Sequence, residues 1–342
     1  MTETFRVGVT RDLLGEGTKG LGDTGVGLLD GVPGLAWEYL PERIQTFEPS
    51  HLANYDAIAI LGGRVTAESV EANPRLALLA RYGVGYDNID IDACTNAGIA
   101  VTITPDGVRR PMATAIMTLI LALSTRLMQQ DRLTRSGGWS RKIDSMGIGL
   151  TGRVLGLVGL GNIGREVVRL AAPWEMRHIA HDPWAIPGAA PGVELVDLET
   201  VFRTADFVVI ACALTAETRH LVNTERLALM KPDAYLINTA RGPIVDQAAL
   251  TEALRSGRIA GAGIDVFEQE PVDPNDPILA LDNVIATPHA LGWTDEWIRK
   301  TGESALGGIL ELSRGEVPPH IVNREVLNVT AFREKLARFG QT

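Results

Sequence analysis

The sequence predicts two α/β domains, each built on a parallel sheet with crossover helices. Three observations carry this expectation. The chain has 342 residues, enough for two domains at roughly 150 residues each. Short runs rich in Val, Ile, Leu and Ala alternate with helical patterns along nearly all of it. Finally, a strand leads straight into a glycine loop and then an amphipathic helix at residues 153–172. Hydrophobic residues make up 45% and charged residues 22%, which suits an ordinary globular protein and argues against disorder or a coiled coil.

In the first third the strand-like runs are 5–10 (FRVGVT), 35–40, 57–63 (AIAILGG), 76–83 and 99–104, each bounded by Gly, Pro or Asp. The glycine-rich stretch 15–34 reads as a loop. Pro111 is expected to open a long helix reaching about residue 135, because a proline N–H has no partner to lose at the first helical position. After Gly137-Gly138-Trp139 a second series begins, with strands at 153–158, 177–180, 206–212, 234–238, 261–267 and 283–287. A helix at 294–313 and a polar, proline-containing tail follow. The chain is expected to cross between domains at 105–112 and 289–295, with the tail returning to the first domain. No fixed-period repeat or low-complexity segment is present.

Lys and Arg number 32 against 42 Asp and Glu, a net charge of −10, which disfavours nucleic acid or an anionic membrane as the partner. The two cysteines, Cys94 and Cys212, have no metal-ligand or redox spacing and form no disulfide framework, so a reduced, cytoplasmic setting fits and no metal site is expected. The amino terminus shows no secretory pattern. The most apolar stretch, 112–123, is interrupted by Thr114 and Thr118 and falls short of the roughly 20 residues of a membrane span; it reads as a buried helix.

The glycine loop is the strongest local signal. Gly159 permits the tight turn, Gly161 lets backbone approach a pyrophosphate, and Gly164 allows close helix–strand packing. The amides of Asn162 and Ile163 then lie at a helix N-terminus, which attracts phosphate. Asp182 ends the next strand, where a carboxylate accepts from ribose hydroxyls and repels a 2′-phosphate. No Arg or Lys follows it closely, so NAD is expected rather than NADP.

Moving a hydride to or from an α-carbon needs a group that handles the hydroxyl proton and a cation that holds a neighbouring anion. Of the 6 histidines, only His289 directly follows a strand of the second domain, and ligands bind at such strand ends in open α/β sheets. Two further strand ends carry charge, at Arg241 and at Asp265 through Glu270.

With these residues in view, the sequence resembles the D-isomer-specific 2-hydroxyacid dehydrogenases over nearly its whole length. The likeness rests on RYGVGYDNID (81–90), GLGNIG (159–164), NTARG (238–242), GIDVFEQEP (263–271) and TPHA (287–290), in the family's order. The resemblance implies Rossmann-like and flavodoxin-like parallel-sheet domains with a cleft between them. Residues 1–110 plus 294–342 would form the substrate-binding, catalytic domain and residues 111–293 the NAD-binding domain. It implies that Arg241 binds the substrate carboxylate, that His289 is the acid/base and that Glu270 is its partner, since a carboxylate beside imidazole favours the charged ring. The Val84 and Gly85 amides would complete the carboxylate site. Asp265 would lie on the nicotinamide side, Thr239 and Ala240 in the same pocket, and Leu214 and Thr218 along the adenosine half. The implied reaction interconverts a 2-oxo acid and a D-2-hydroxy acid with NAD, in a homodimer whose dimerisation arm resembles residues 111–139.

The sequence departs from the family after His289, where Trp293 stands among residues that are usually small, and at Arg109-Arg110, for which two readings stand, holding a second anion or capping the interdomain surface. For Trp139 and Trp293, packing in a core or subunit interface is the simpler expectation. Two alternative functions share the scaffold: an NAD-sensing, corepressor-like interaction protein, and a phosphite-type dehydrogenase. Reduction of a 2-oxo acid discriminates against the first, and phosphite-dependent NADH formation identifies the second.

Overall fold

The computed structural model describes residues 4–15, 20–71, 73–188 and 190–339, so residues 16–19 of the expected glycine-rich loop lie outside the described residues. Inside that loop region, Val26–Leu29 is a single 3-10 turn rather than open loop. The chain divides into two compact units, Met1–Val108 with Trp293–Thr342, and Arg109–Gly292.

In the first unit, β1 (Phe5–Val9), β2 (Leu35–Tyr39), β3 (Ala57–Ile60), β4 (Leu78–Arg81) and β5 (Ala100–Thr102) pair in the order β2-β1-β3-β4-β5. Every pairing is parallel, and the order is the flavodoxin-like one. Ile58, Ile60, Leu79 and Val101 pack with Phe47 and Leu52 in its core, so the strands read as nearly continuous apolar runs.

The tail is anchored on this sheet. Asn323 Oδ1 accepts from the Val101 amide at 2.8 Å, and its Nδ2 donates to the Ile99 carbonyl at 2.9 Å. The last helix, Thr330–Phe339, buries Lys335, whose Nζ donates to the carbonyls of Leu76 (2.7 Å), Ala97 (2.8 Å) and Gly98 (3.2 Å). Gly98 is required at this contact: its φ is +64°, and a Cβ there would come within 2.7 Å of the Phe332 nitrogen.

In the second unit, β6 (Val154–Val158), β7 (Arg177–His181), β8 (Val193–Leu195), β9 (Phe207–Ile210), β10 (Tyr235–Asn238), β11 (Gly261–Ile264) and β12 (Val284–Ala286) form one parallel sheet. Its order is β12-β11-β10-β9-β6-β7-β8. The order reverses between β6 and β9, the switch point where open α/β sheets take ligands. Alternate residues serve two cores. Val158, Val208, Ile210 and Leu236 pack against Val201, Phe202 and Leu250 on one face. Leu155, Leu157, Val209 and Ile237 pack against Ile116, Ile120 and Leu123 on the other. The short edge strand β8 is absent from the expected series because it lacks an apolar run.

The expected helix from Pro111 is corrected in two ways. The helix spans Pro105–Ser124, so Pro105 takes the first-turn position and Pro111 lies inside. It also ends at Ser124, whose carbonyl accepts from the Ile148 amide at 2.7 Å and is thereby withdrawn from the helical ladder. The Thr125 hydroxyl donates back to the Leu121 carbonyl at 2.7 Å, and Arg126 turns left-handed with φ +52°. A second helix, Leu127–Arg135, then leaves at 56°. Among the described residues no single helix is long and apolar enough to cross a membrane.

Candidate active site

At the switch point, β6 runs into the glycine loop. Gly159 has φ +102°, and a Cβ there would lie 2.7 Å from the Ala211 carbonyl carbon, so only glycine lets the loops after β6 and β9 meet. A Cβ on Gly164 would come within 2.6 Å of the Gly159 carbonyl oxygen, which sets the close packing of the helix Asn162–Ala171 on the turn. At Gly161 the opposite holds, because a Cβ there would meet nothing within 4 Å. This open cradle, facing a helix N-terminus, fits a dinucleotide pyrophosphate. Asp182 Oδ2 accepts from the Leu160 amide at 2.7 Å, which holds the carboxylate at the loop. Arg110 does not stand free for a second anion: it pairs with Glu166 at 3.1 Å, and Arg169 with Arg110 holds the Glu166 carboxyl at about 2.

Leu214 is partly buried against the core beside Cys212, and Thr218 closes the turn after β9 by donating to the Ala213 carbonyl at 2.8 Å. Burial pushes the Cys212 thiol up to about 11, so it is no thiolate at neutral pH. Thr239 is buried at the end of β10, and the Ala240 amide donates to Asn238 Oδ1 at 3.1 Å.

The turn that carries Arg241 is pressed against the segment leading to Glu270. A Cβ on Gly242 would come within 1.8 Å of the Phe267 carbonyl oxygen, a contact no side chain permits. Arg241 Nη1 donates to the Ala240 carbonyl at 2.7 Å. Glu270 Oε1 accepts from the Phe267 amide at 3.0 Å, and Oε2 lies 2.7 Å from His289 Nδ1. Burial pushes the Glu270 carboxyl up, but the His289 bond, the Phe267 amide and the Arg241 charge together hold it below the ordinary range. Glu270 is therefore an anion beside the ring, which leaves Nε2 as the working nitrogen. His289 itself has φ +53°, a left-handed conformation that costs energy in a residue with a side chain.

Asp265 supplies what holds that strained segment, a function beyond the one expected of it. Its side chain is 1% exposed. Oδ1 accepts from the Thr287 hydroxyl (2.6 Å), the Ala290 amide (3.1 Å) and the Leu291 amide (3.2 Å). The sequence marks Thr287 only through its place in TPHA; the available cue is its position at the end of the run 283–287, the next strand-like run after the one that carries Asp265.

Val84 and Gly85 lie in the first unit, in the loop after β4. Trp293, also in that unit, stacks on Trp297 with ring centroids 5.4 Å apart. Trp139 is 70% exposed, so of the two expected settings it does not occupy this chain's core. A second histidine–carboxylate pair, His220 Nε2 with Glu268 at 2.6 Å, was not anticipated.

A family model for the NAD binding domain of D-isomer specific 2-hydroxyacid dehydrogenases matches residues 117–290. The chain is 41% identical to a glyoxylate reductase of Thermofilum pendens over 278 residues, 80% of this chain and 82% of that protein. A glyoxylate reductase of Thermococcus onnurineus is likewise 41% identical, over 80% of this chain and 84% of its own. Among solved structures, a Thermus thermophilus protein is 33% identical with a TM-score of 0.80, covering 93% of this chain and 100% of that one. A glyoxylate reductase from Paecilomyes thermophila gives a TM-score of 0.80 at 27% identity, with 92% of this chain and 97% of that one covered. The relatives favour neither the corepressor-like nor the phosphite alternative. On these matches the chain belongs to the D-isomer-specific 2-hydroxyacid dehydrogenase family, NAD-dependent oxidoreductases that interconvert 2-oxo and 2-hydroxy acids.

Proposed function

We propose that this chain interconverts a small 2-oxo acid and its D-2-hydroxy acid, with His289 as the acid/base, Glu270 as its partner and Arg241 as a carboxylate ligand. The observation that carries the reading is the 2.7 Å contact between His289 Nδ1 and Glu270 Oε2. When bound, NAD supplies or accepts the hydride. In reduction His289 Nε2 gives its proton to the carbonyl oxygen; in oxidation it removes the hydroxyl proton. Glu270 keeps the ring oriented and compensates its charge. The planar fork of Arg241 binds the carboxylate at two points and polarises the adjacent carbonyl. The Val84 and Gly85 amides are proposed as further donors to that carboxylate. Gly159, Gly161, Gly164 and the Asn162 and Ile163 amides are proposed to cradle the pyrophosphate, and Asp182 the ribose, which favours NAD over NADP. Leu214 and Thr218 are proposed for the adenosine half, with Thr239, Ala240 and Asp265 for the nicotinamide side.

Relatives named glyoxylate reductase motivate glyoxylate as the first substrate to try. The reading is tested by NADH consumption with 2-oxo acids from glyoxylate and pyruvate to phenylpyruvate, with NADPH in parallel. Turnover with NADH, lost by at least about 100-fold in Arg241→Ala while NADH still binds, supports it. Unchanged turnover in that variant overturns the carboxylate assignment.

The same reading makes the protein a cytoplasmic homodimer whose partner molecules are small acids rather than nucleic acid or membrane. Trp139, Ile143 and Met146, apolar side chains exposed at 70%, 76% and 72% in the segment just after the helix Leu127–Arg135, support the dimer reading. Light scattering that returns a monomer mass overturns the dimer.

A further inference from the structure

We propose that Arg81 is a positioning residue that shapes the Val84–Gly85 loop into a two-amide anion site; the proposal rests on the reading that these amides hold the substrate carboxylate. The loop leaves the end of β4, and its hydrogen bonds can be followed group by group. The Tyr82 amide donates to the Ile60 carbonyl at 2.8 Å. The Gly83 amide donates to the buried Thr104 hydroxyl at 2.8 Å, and the Gly83 carbonyl accepts from the Thr104 amide at 2.9 Å. Arg81 then reaches around both ends of the turn, donating through Nη1 to the Tyr82 carbonyl and through Nε to the Gly85 carbonyl at 3.1 Å.

Two adjacent amides are left over. Among the described residues, neither the Val84 nor the Gly85 N–H has an acceptor. Buried or half-buried backbone donors are almost always satisfied, so a neighbouring pair without partners points to an acceptor supplied from outside the chain. An oxyanion is the natural one, because two successive amides form a concave, positive nest.

Arg81 controls the shape of that nest. By holding the Tyr82 and Gly85 carbonyls it fixes the peptide planes on either side of the two free amides. It also sets a permanent positive charge against the loop. Gly83 carries the turn between them: its φ is +130°, a backbone conformation that residues with a side chain rarely adopt. Lysine is no substitute, since a single ammonium lacks the rigid fork that spans two carbonyls.

The test combines steady-state kinetics with binding of oxalate, a carboxylate competitor. Arg81→Met is expected to raise KM for the best 2-oxo acid and Ki for oxalate together by about 10-fold or more, with kcat within about threefold of wild type. NADH affinity should be unchanged, and Arg81→Lys should fall between. Val84→Pro, which deletes one of the two amides, separates the two claims. If it leaves oxalate Ki unchanged, the amide reading falls and the proposal with it. If it raises Ki while Arg81→Met does not, the amides stand and the Arg81 function is overturned. Neutral oxamide is measured in Arg81→Met as a control that does not depend on the proline variant folding. A shift confined to oxalate supports the proposal, whereas equal shifts for both, or a parallel loss of NADH binding, mark general damage and overturn it.

Discussion

Asp265 Oδ1 accepts the Thr287 hydroxyl at 2.6 Å, and this contact holds the start of the segment that ends in the left-handed turn at His289. Asp265 also takes the Ala290 and Leu291 amides beyond the turn, so one buried carboxylate grips the segment from both sides of the histidine. A strained conformation persists only where its surroundings over-determine it.

Asp265→Asn tests that grip. An amide side chain that keeps its oxygen at Oδ1 places its NH2 at the Oδ2 position, where the Leu291 amide already donates at 3.3 Å, so that contact turns repulsive. Losing a buried hydrogen bond to a charged group costs about 1.5–3 kcal/mol. We expect kcat to fall about 10- to 100-fold through displacement of His289. Thermal melting should show a folded protein; unchanged kcat overturns the account.

For the proton-handling pair, Glu270→Gln should lower kcat by about 10- to 100-fold and His289→Asn by at least about 100-fold. Neither should weaken NADH binding measured by fluorescence. Equal, small effects from both would contradict the assignment of the working nitrogen to the ring.

His178 gives a pH prediction. It is buried in β7, and its Nε2 has no partner among the described residues. Burial lowers its pKa from the ordinary 6.5, so below 6.5 the unfolded chain takes up a proton that the folded chain resists. The stability it contributes is present above 6.5 and lost as pH falls through the lowered folded value. Urea unfolding from pH 7.5 to 5 should therefore show a decline that His178→Leu flattens. A variant with the same slope as wild type would refute this origin.

Lys335 secures the tail. Its side chain is 4% exposed, and truncation to Ala leaves the carbonyls of Leu76, Ala97 and Gly98 without their donor. Each unsatisfied buried group costs about 1–3 kcal/mol, so Lys335→Ala should lower the urea midpoint clearly. Protease sensitivity should rise first in the helix Thr330–Phe339; resistance equal to wild type would show that the helix is held by other contacts.

The glycine loop was legible because its requirements are local: a positive φ at Gly159, an open position at Gly161 and a close approach at Gly164 all follow from the spacing of one short segment. The alternation of strands and helices was legible for a similar reason, since strands buried on both faces are written as apolar runs. Pro111 misled because a proline marks a helix start only when no earlier residue takes that position, and Pro105 does.

What the sequence by itself determined is the inventory: the α/β class, the nucleotide loop and the Arg241, Glu270 and His289 side chains on strand-end segments. What the tertiary structure decided is how those segments meet. Parallel pairing of Ile264 with Ala286 sets Asp265 beside Thr287, and the missing Cβ of Gly242 lets the Arg241 turn press on Phe267. Likewise, only the folded loop shows Arg81 on the flanking carbonyls and, among the described residues, no acceptor for the Val84 and Gly85 amides. The reason is physical. Propensity and periodicity report interactions between near neighbours in sequence, whereas strand register and steric contact between loops are set by residues far apart along the chain.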